Sequence, residues 1–383
     1  MTRALVEVDP APEAVLIALR AALDGSGPAV RIAAPGAPPV ASGTVPQRVA
    51  VVVETSGSSG PPKRVALATS ALLTSASATL AELGGPGRWL LCLPTHYVAG
   101  VQVLVRSLTA DADPVVLRQG GFDAAAFFDA ARTMPAGERR YTSLVPVQLA
   151  RLLERAERDP VDAGTLRSFD ALLIGGQSTP QALRDRAAAL GARIRLTYGS
   201  SETAGGCVYD GVPLRGVQSR VEDGQVLLGG PTLAEGYLDE SGAIDQERTA
   251  AAFVTRDGQR WYRTGDSGAI NDGRLNVTGR LDRVIVSGGE KVSLDAVEAV
   301  LREWGVDDAV VVRRSDGRWG EVPVVITAGT PPEPADLRAA VVARLGRAAA
   351  PAAVLAVPEI PLLASGKPDR RALERTAEES GRS

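Results

Sequence analysis

From Arg48 to Thr197 the apolar positions switch back and forth between two periods. Val49–Val53 is a short run of Val and Ala, the pattern of a strand buried on both faces. Ser70–Leu83 has helical spacing, with Ser or Thr at its cap, Leu72, Leu73, Leu80 and Leu83 toward one side, and Gly84 at its end. The exchange then repeats. Strands are predicted at Trp89–Leu93, Pro114–Leu117, Tyr141–Val145, Ala171–Ile174 and Arg193–Thr197. Helices are predicted between them at Val98–Leu108, Asp123–Arg132, Val147–Arg158 and Pro180–Leu190. Strands alternating with helices predict βαβ units and a mainly parallel sheet.

After Tyr198 the pattern changes. Val217–Tyr237 and Trp261–Val277 hold short strand-like runs broken by Asp223-Gly224, Gly229-Gly230 and Asp272-Gly273, which predicts antiparallel hairpins. Beyond Gly279 the alternation resumes on a smaller scale. Helices are expected at Leu294–Trp304, Pro334–Leu345 and from Pro368, and strands at Ala309–Arg313, Pro323–Thr327 and Val354–Val357. The expected fold class is α/β: a large N-terminal domain with mainly parallel sheets and helices plus a small antiparallel β portion, then a small mobile α+β C-terminal domain. The boundary is placed near 279–282, giving domains 1–280 and 281–383. Residues 25–46, rich in Gly, Pro, Ala and Ser, read as a surface linker or loop.

Composition narrows the function classes. The chain has 383 residues, 45% of them hydrophobic and 23% charged, enough for a sizeable core and two domains. A net charge of −3 leaves no basic footprint for nucleic acid. The two cysteines exclude a disulfide framework and a Cys-based zinc site, and the single histidine, His96, excludes a His-rich metal site. Met1–Pro10 carries Glu7 and Asp9 in place of a secretory apolar run, and no stretch is long and apolar enough to span a membrane. These features predict a cytoplasmic protein. Oligomeric state is left open, a homodimer included.

One loop suggests chemistry. Thr55, Ser56, Gly57, Ser58, Ser59, Gly60, Pro61, Pro62 and Lys63 come directly after the Val49–Val53 strand. Amides freed by glycine, hydroxyls and one ammonium can surround phosphate oxygens. A Gly/Ser run alone is equally a plain turn. It is not a Walker A loop, because Pro62 precedes Lys63 and no Ser or Thr comes after it. No G-x-G-x-x-G occurs, so dinucleotide binding has no support.

Four more segments occur in order: Tyr198-Gly199-Ser200-Ser201-Glu202-Thr203, Tyr262-Arg263-Thr264-Gly265-Asp266, Gly279-Arg280-Leu281-Asp282-Arg283-Val284-Ile285, and Ser365-Gly366-Lys367. Together with the first loop they resemble the adenylate-forming superfamily of acyl-CoA synthetases, peptide-synthetase adenylation domains and luciferases, over nearly the whole chain. The resemblance implies ATP-driven activation of a carboxylic acid as an acyl-adenylate. It implies that Glu202 offers a carboxylate to Mg²⁺, a cation that prefers hard oxygen ligands. It places Tyr198 and the strand-ending Gly175 and Gly176 at the adenine, Asp266 at the ribose hydroxyls, and Arg280 at ribose or phosphate. Lys367 is implied to be the catalytic lysine, bridging carboxylate and α-phosphate on a C-terminal loop, and Asp282 the hinge. Ser201 stands where many relatives carry Thr, which keeps the hydroxyl.

The acceptor and the acid rest on two further segments. Val286-Ser287-Gly288-Gly289-Glu290-Lys291-Val292 resembles the acyl-CoA synthetase strand against which pantetheine lies, which makes Gly288 and Gly289 candidate coenzyme A contacts. Pro94-Thr95-His96-Tyr97-Val98-Ala99-Gly100 resembles a segment that gates the acyl pocket. This string, with only 54 residues before Thr55, resembles the short 2-succinylbenzoate–CoA ligases of menaquinone biosynthesis. It makes His96 a second candidate catalytic residue, facing the acid's other carboxylate. Another aryl or short-chain acid, or a carrier-protein acceptor, remains the alternative. A non-catalytic nucleotide binder would be expected to lack Lys367 or Glu202, and a scaffold would need none of the five segments.

Overall fold

The computed structural model describes residues 1–34, 43–55, 62–117, 121–306, 309–329, 333–362 and 368–381. Ser56, Gly57, Ser58, Ser59, Gly60 and Lys367 lie outside these residues. The chain divides into two compact units, one of residues 1–220, 227–263 and 271–275, the other of residues 221–226, 264–270 and 276–383.

The first unit carries two sheets. Its seven-stranded sheet runs Val212–Pro213, Gly205–Tyr209, Ile194–Ser200, Ala171–Ile174, Arg140–Leu144, Arg88–Leu91, Val115–Val116. The strands from Ile194–Ser200 to Val115–Val116 are parallel, and Gly205–Tyr209 turns back antiparallel. This is the sheet that the alternation of periods predicts. Its helices cover an apolar cluster in which Phe127 stacks on Phe169 (5.6 Å between ring centroids) and meets Phe128 edge-on (5.4 Å). Leu90, Leu144, Leu149, Leu152, Leu172 and Ile174 close around them, all at most 1% exposed. Asp123 caps the helix Ala124–Arg132 as its position predicts. The helix Pro160–Arg167, not predicted, starts afresh at Pro160 behind the cap of Asp159.

The six-stranded sheet corrects one expectation. Residues 25–46 are not a linker throughout: Ala29–Ile32 is a wholly buried strand between Thr2–Val8 and Val49–Thr55, parallel to both, and Gly43–Pro46 pairs antiparallel with Thr2–Val8. Flanking Gly and Pro dilute these four-residue strands, and Arg31 interrupts the apolar run. Arg31 is nonetheless 2% exposed. It is bonded to Glu7 and bidentately to Glu54 at 3.1 and 3.0 Å, so its charge is buried with partners. The sheet ends with Lys63–Ala68 and Gly236–Leu238, both antiparallel additions.

The antiparallel texture after Tyr198 is present too. Asp223-Gly224 and Asp272-Gly273 each join two strands as a two-residue loop with both φ positive, at +49° and +79°, and +49° and +73°. That is the backbone of the hairpin turn such pairs favour.

In the second unit Val310–Asp316, Gly320–Ala328, Val284–Ser287 and Glu290–Ser293 are antiparallel, with Ala353–Val357 parallel to Gly320–Ala328. Side chains alternate between its faces. Val311 and Val325 join Val297, Leu301, Leu337 and Val341 on one. Val310, Val312, Val324 and Ile326 join Leu373 and Ala377 on the other. Strands covered on both faces explain the Val-rich runs. Among the described residues no helix is long and apolar enough to cross a membrane.

Candidate active site

Ligand sites of open α/β sheets lie beyond the carboxyl ends of parallel strands. Three predicted segments meet that description in the first unit. Gly175 and Gly176 come just after the strand Ala171–Ile174, Tyr198–Ser200 end the neighbouring strand, and His96 lies beyond Arg88–Leu91 in the same parallel set. Leu196 pairs with Ile174, so Thr197 and Tyr198 run beside Gly175 and Gly176. A Cβ on Gly175 would lie 2.4 Å from Thr197 Oγ1, so glycine is required for this close approach. The ladder between Ile194–Ser200 and Gly205–Tyr209 slips at Tyr198–Gly199. Such a bulge bends the strand and re-aims the residues beyond it.

Glu202 is among those residues. Ser201–Thr203 is a single tight turn, tied by the Ser200 N–H to Thr203 Oγ1 (2.9 Å) and by Thr203 Oγ1 to the Gly205 carbonyl (2.8 Å). Ala204, at φ +53°, reverses the chain, and Ser75 Oγ donates to its carbonyl at 3.1 Å. The turn buries Glu202 to 7% exposure. Tyr237 Oη donates to Glu202 Oε1 at 2.8 Å, and among the described residues Oε2 takes no hydrogen bond and the carboxylate no ion pair. A buried carboxylate with one neutral donor calls for a cation. No group of three or more metal-type ligands occurs among the described residues. Mg²⁺ commonly takes one or two carboxylates, phosphate oxygens and waters, and the single Glu202 carboxylate is a donor of that class. The Ser200 hydroxyl oxygen is also buried without a partner among the described residues.

Thr55 and Lys63 pair across the antiparallel strands that flank the glycine- and serine-rich segment, and the strand Lys63–Ala68 separates that segment from the helix at Thr69. This differs from a Walker loop, which leads straight into a helix. On the other side of Lys63–Ala68, Tyr237 pairs with Val65, which makes Lys63 its diagonal neighbour on the same face. Lys63 Nζ accordingly lies 5.2 Å from the Tyr237 ring centroid. Tyr237 thus joins two predicted residues, yet no motif names it. Burial first, then the charge of Glu202, raise its pKa well above the ordinary value, so it stays a donor. Aromatics are only 4% of the chain, and one directly after Gly236 in a glycine-rich stretch is the available signal.

His96 is half-buried against Tyr97, 4.2 Å between ring centroids, and burial lowers its pKa, so it is neutral near pH 7. Gly100 lets this loop fold onto its helix, since a Cβ there would strike the Pro94 carbonyl oxygen at 2.2 Å. The helix Val98–Thr109 in turn packs by Val98 and Gln102 on Gly205, directly after the Glu202 turn.

The second unit holds the other predicted residues. Asp266 N–H donates to Thr264 Oγ1 (3.0 Å), which donates to the Val226 carbonyl (2.9 Å). Arg280 Nη1 reaches Asp266 Oδ1 at 3.1 Å, and its Nε and Nη2 each bond an oxygen of Asp282 at 3.2 Å. Candidate ribose, nucleotide and hinge residues are therefore one ionic cluster. Asp282 sits in the short turn Leu281–Arg283. Arg283 is anchored on Glu298, which also binds Arg370 at 3.2 Å, at the head of the helix that comes after Lys367. Leu362 and Pro368, which flank 363–367, bridge each other. Gly288 and Gly289 form the two-residue hairpin loop after Ser287, with φ +58° and +85°. Gly288 N–H donates to the Trp319 carbonyl at 2.8 Å.

Comparison with known proteins finds relatives along most of the chain. The sequence model for "AMP-binding enzyme" matches residues 3–238, and that for "AMP-binding enzyme C-terminal domain" matches residues 297–367. A protein of Mycobacterium tuberculosis called "Probable 2-succinylbenzoate–CoA ligase" is 42% identical over 378 residues, 94% of each chain. A solved structure of o-succinylbenzoate CoA synthetase from Bacillus subtilis, in complex with the acyl-adenylate intermediate OSB-AMP, is 27% identical, with TM-score 0.74 over 85% of this chain and 69% of that one. The amide bond synthetase McbA of Marinactinospora thermotolerans has the same identity and TM-score over 97% of this chain and 79% of that one. With the first model matching more than half of the 383 residues and a relative 42% identical across 94% of both chains, the chain belongs to the AMP-binding, adenylate-forming enzyme family.

Proposed function

We propose that the chain joins 2-succinylbenzoate to coenzyme A in two ATP-driven steps. The observation that carries this reading is 42% identity across 94% of both chains to a relative named for that reaction. In the first step a carboxylate oxygen of the acid attacks the α-phosphorus of ATP, and the bond to pyrophosphate breaks. In the second the thiol of coenzyme A attacks the acyl carbonyl and loses its proton, and AMP leaves.

The residues divide between these steps. Thr55, Lys63 and the hydroxyls and amides of 56–60 hold the triphosphate. Glu202 holds Mg²⁺, which when bound offsets phosphate charge. Gly175, Gly176 and Tyr198 border the adenine, Ser200 and Ser201 offer hydroxyls beside it, and Asp266 with Arg280 takes the ribose. Lys367 stabilises the charge redistributed during adenylation. Gly288 and Gly289 let pantetheine approach the backbone. The functional division is 1–280 and 281–383, turning at Asp282.

Acids screened by pyrophosphate release, with and without coenzyme A, test the substrate. We expect ATP-, Mg²⁺- and CoA-dependent turnover of 2-succinylbenzoate and poor turnover of fatty acids. Efficient use of long-chain fatty acids and none of 2-succinylbenzoate overturns the proposal. Neutral His96 offers the second carboxylate a hydrogen bond. His96→Ala is therefore expected to raise the KM for the acid about tenfold, the scale of one hydrogen bond to a charged group. An unchanged KM removes His96 from the acyl pocket.

A further inference from the structure

We infer that Tyr237 is a positioning residue that sets the Glu202 carboxylate and the Lys63 ammonium into one arrangement for a metal-bound triphosphate. This rests on the reading of Glu202 as the Mg²⁺ ligand. A carboxylate on a short turn can rotate about its last torsion, where the wells are broad. The Tyr237 hydroxyl removes that freedom by holding Oε1 at 2.8 Å, which leaves Oε2 for the cation. The same side chain lies 5.2 Å under Lys63 Nζ and draws the ammonium to its ring face. Cation ligand and phosphate-loop lysine are thus referred to one ring.

That ring is itself fixed from three sides. Its backbone N–H donates to Thr249 Oγ1 at 3.0 Å. Its hydroxyl has a second partner in the Tyr262 hydroxyl. Phe253 packs on both tyrosines, 6.0 and 5.3 Å between centroids, and Arg260 covers Phe253 at 4.1 Å. So rigid a support under a residue that only filled space would serve no purpose at the polar end, where the hydroxyl meets a buried charge.

The test is calorimetric titration of the full-length protein with ATP, with and without Mg²⁺, and with AMP, all without acid so that no turnover occurs. Tyr237→Phe, Tyr237→Leu and Glu202→Gln are compared with the wild type. Glu202→Gln is expected to lower the Mg²⁺ enhancement of ATP affinity. Tyr237→Phe is expected to lower it about tenfold, leaving metal-free ATP and AMP binding unchanged. Tyr237→Leu, which also removes the ring, should weaken metal-free ATP binding a further two- to fivefold or so. If Glu202→Gln lowers the enhancement and Tyr237→Phe does not, Tyr237 does not position Glu202. If Tyr237→Phe weakens ATP and AMP binding equally while lowering the Tm, its role is structural and the inference fails. If Glu202→Gln leaves the enhancement intact, the reading of Glu202 falls and this inference with it.

Discussion

Lys367→Ala is expected to slow adenylation by roughly 10²–10³, the cost of losing one preorganised charge from a site that excludes water. Acyl-CoA formation from supplied acyl-adenylate is expected to survive. The difference comes from when charge moves. During adenylation the carboxylate gives up charge to the α-phosphate and its leaving group, and an ammonium between them stabilises the transition state more than the ground state. In the second step the acyl-adenylate is already formed, and the thiol attacks a carbonyl. The described residues on either side of 363–367 are held within the second unit. Pro368 bridges Leu362, Asp369 caps the last helix through the Ala372 N–H at 3.1 Å, and Arg370 is held by Glu298. Pyrophosphate exchange and acyl-CoA release, measured separately on the folded variant, check this. An equal fall in both steps would mean that Lys367 is not specific to the first.

How much of this is legible in the sequence depends on the range of the interaction involved. Elements set by local periodicity are readable: the parallel strands, the helix Pro334–Leu345 to the residue, and the Asp-Gly hairpins, whose positive φ only a few residue types accept. Gly288-Gly289, singled out by a resemblance, takes positive φ as a two-residue hairpin loop. Elements set by partners far along the chain stay hidden in the pattern. Ala29–Ile32 is a strand because Arg31 meets Glu7 and Glu54, and no window of a few residues contains all three. Lys63 reads as the end of a loop and 64–68 carry no predicted element, although Lys63–Ala68 forms a strand between two others. In the site, the glycines, Glu202 and Asp266 stand in strings that resemble a family, whereas Tyr237 reaches Glu202 across 35 residues and is visible only once the sheet register is known. The link from Arg280 to both Asp266 and Asp282 is likewise a property of the fold.

Asp282→Pro is expected to leave adenylation largely intact and to cut acyl-CoA formation about a hundredfold or more, the factor equivalent to the roughly 3 kcal/mol that proline costs where its fixed φ does not fit. In the proposed division of roles, Lys367 and Gly288-Gly289 fall in the same C-terminal part but serve different steps, so each would have to reach the acyl-phosphate in turn. A rigid rotation about a short hinge achieves this, and hinge residues absorb the φ/ψ change. The bonds of Arg280 and Arg283 on either side of Asp282 lie within the second unit. Arg283, one residue on, is locked to Asp295 and to Glu298, and Glu298 is in turn bound to Arg302 and Arg370, so it moves with the small domain. Arg280, two residues back, has its N–H on Asp295 Oδ2 at 2.7 Å and its guanidinium on Asp266 and Asp282. The pairing of Asp282 with Arg280 is exposed, of the kind worth at most about 1 kcal/mol, cheap to exchange during a rotation. Proline would remove those pairs as well as fix φ, so Asp282→Ala separates the two effects. It loses the pairs, keeps the freedom, and should still make acyl-CoA at a rate within a few-fold of the wild type. Pyrophosphate exchange and acyl-CoA output are measured on both variants. If the proline variant produces acyl-CoA normally, no rotation about residue 282 is needed. If the alanine variant fails as badly as the proline one, the ion pairs of Asp282 and not its backbone freedom carry the second step.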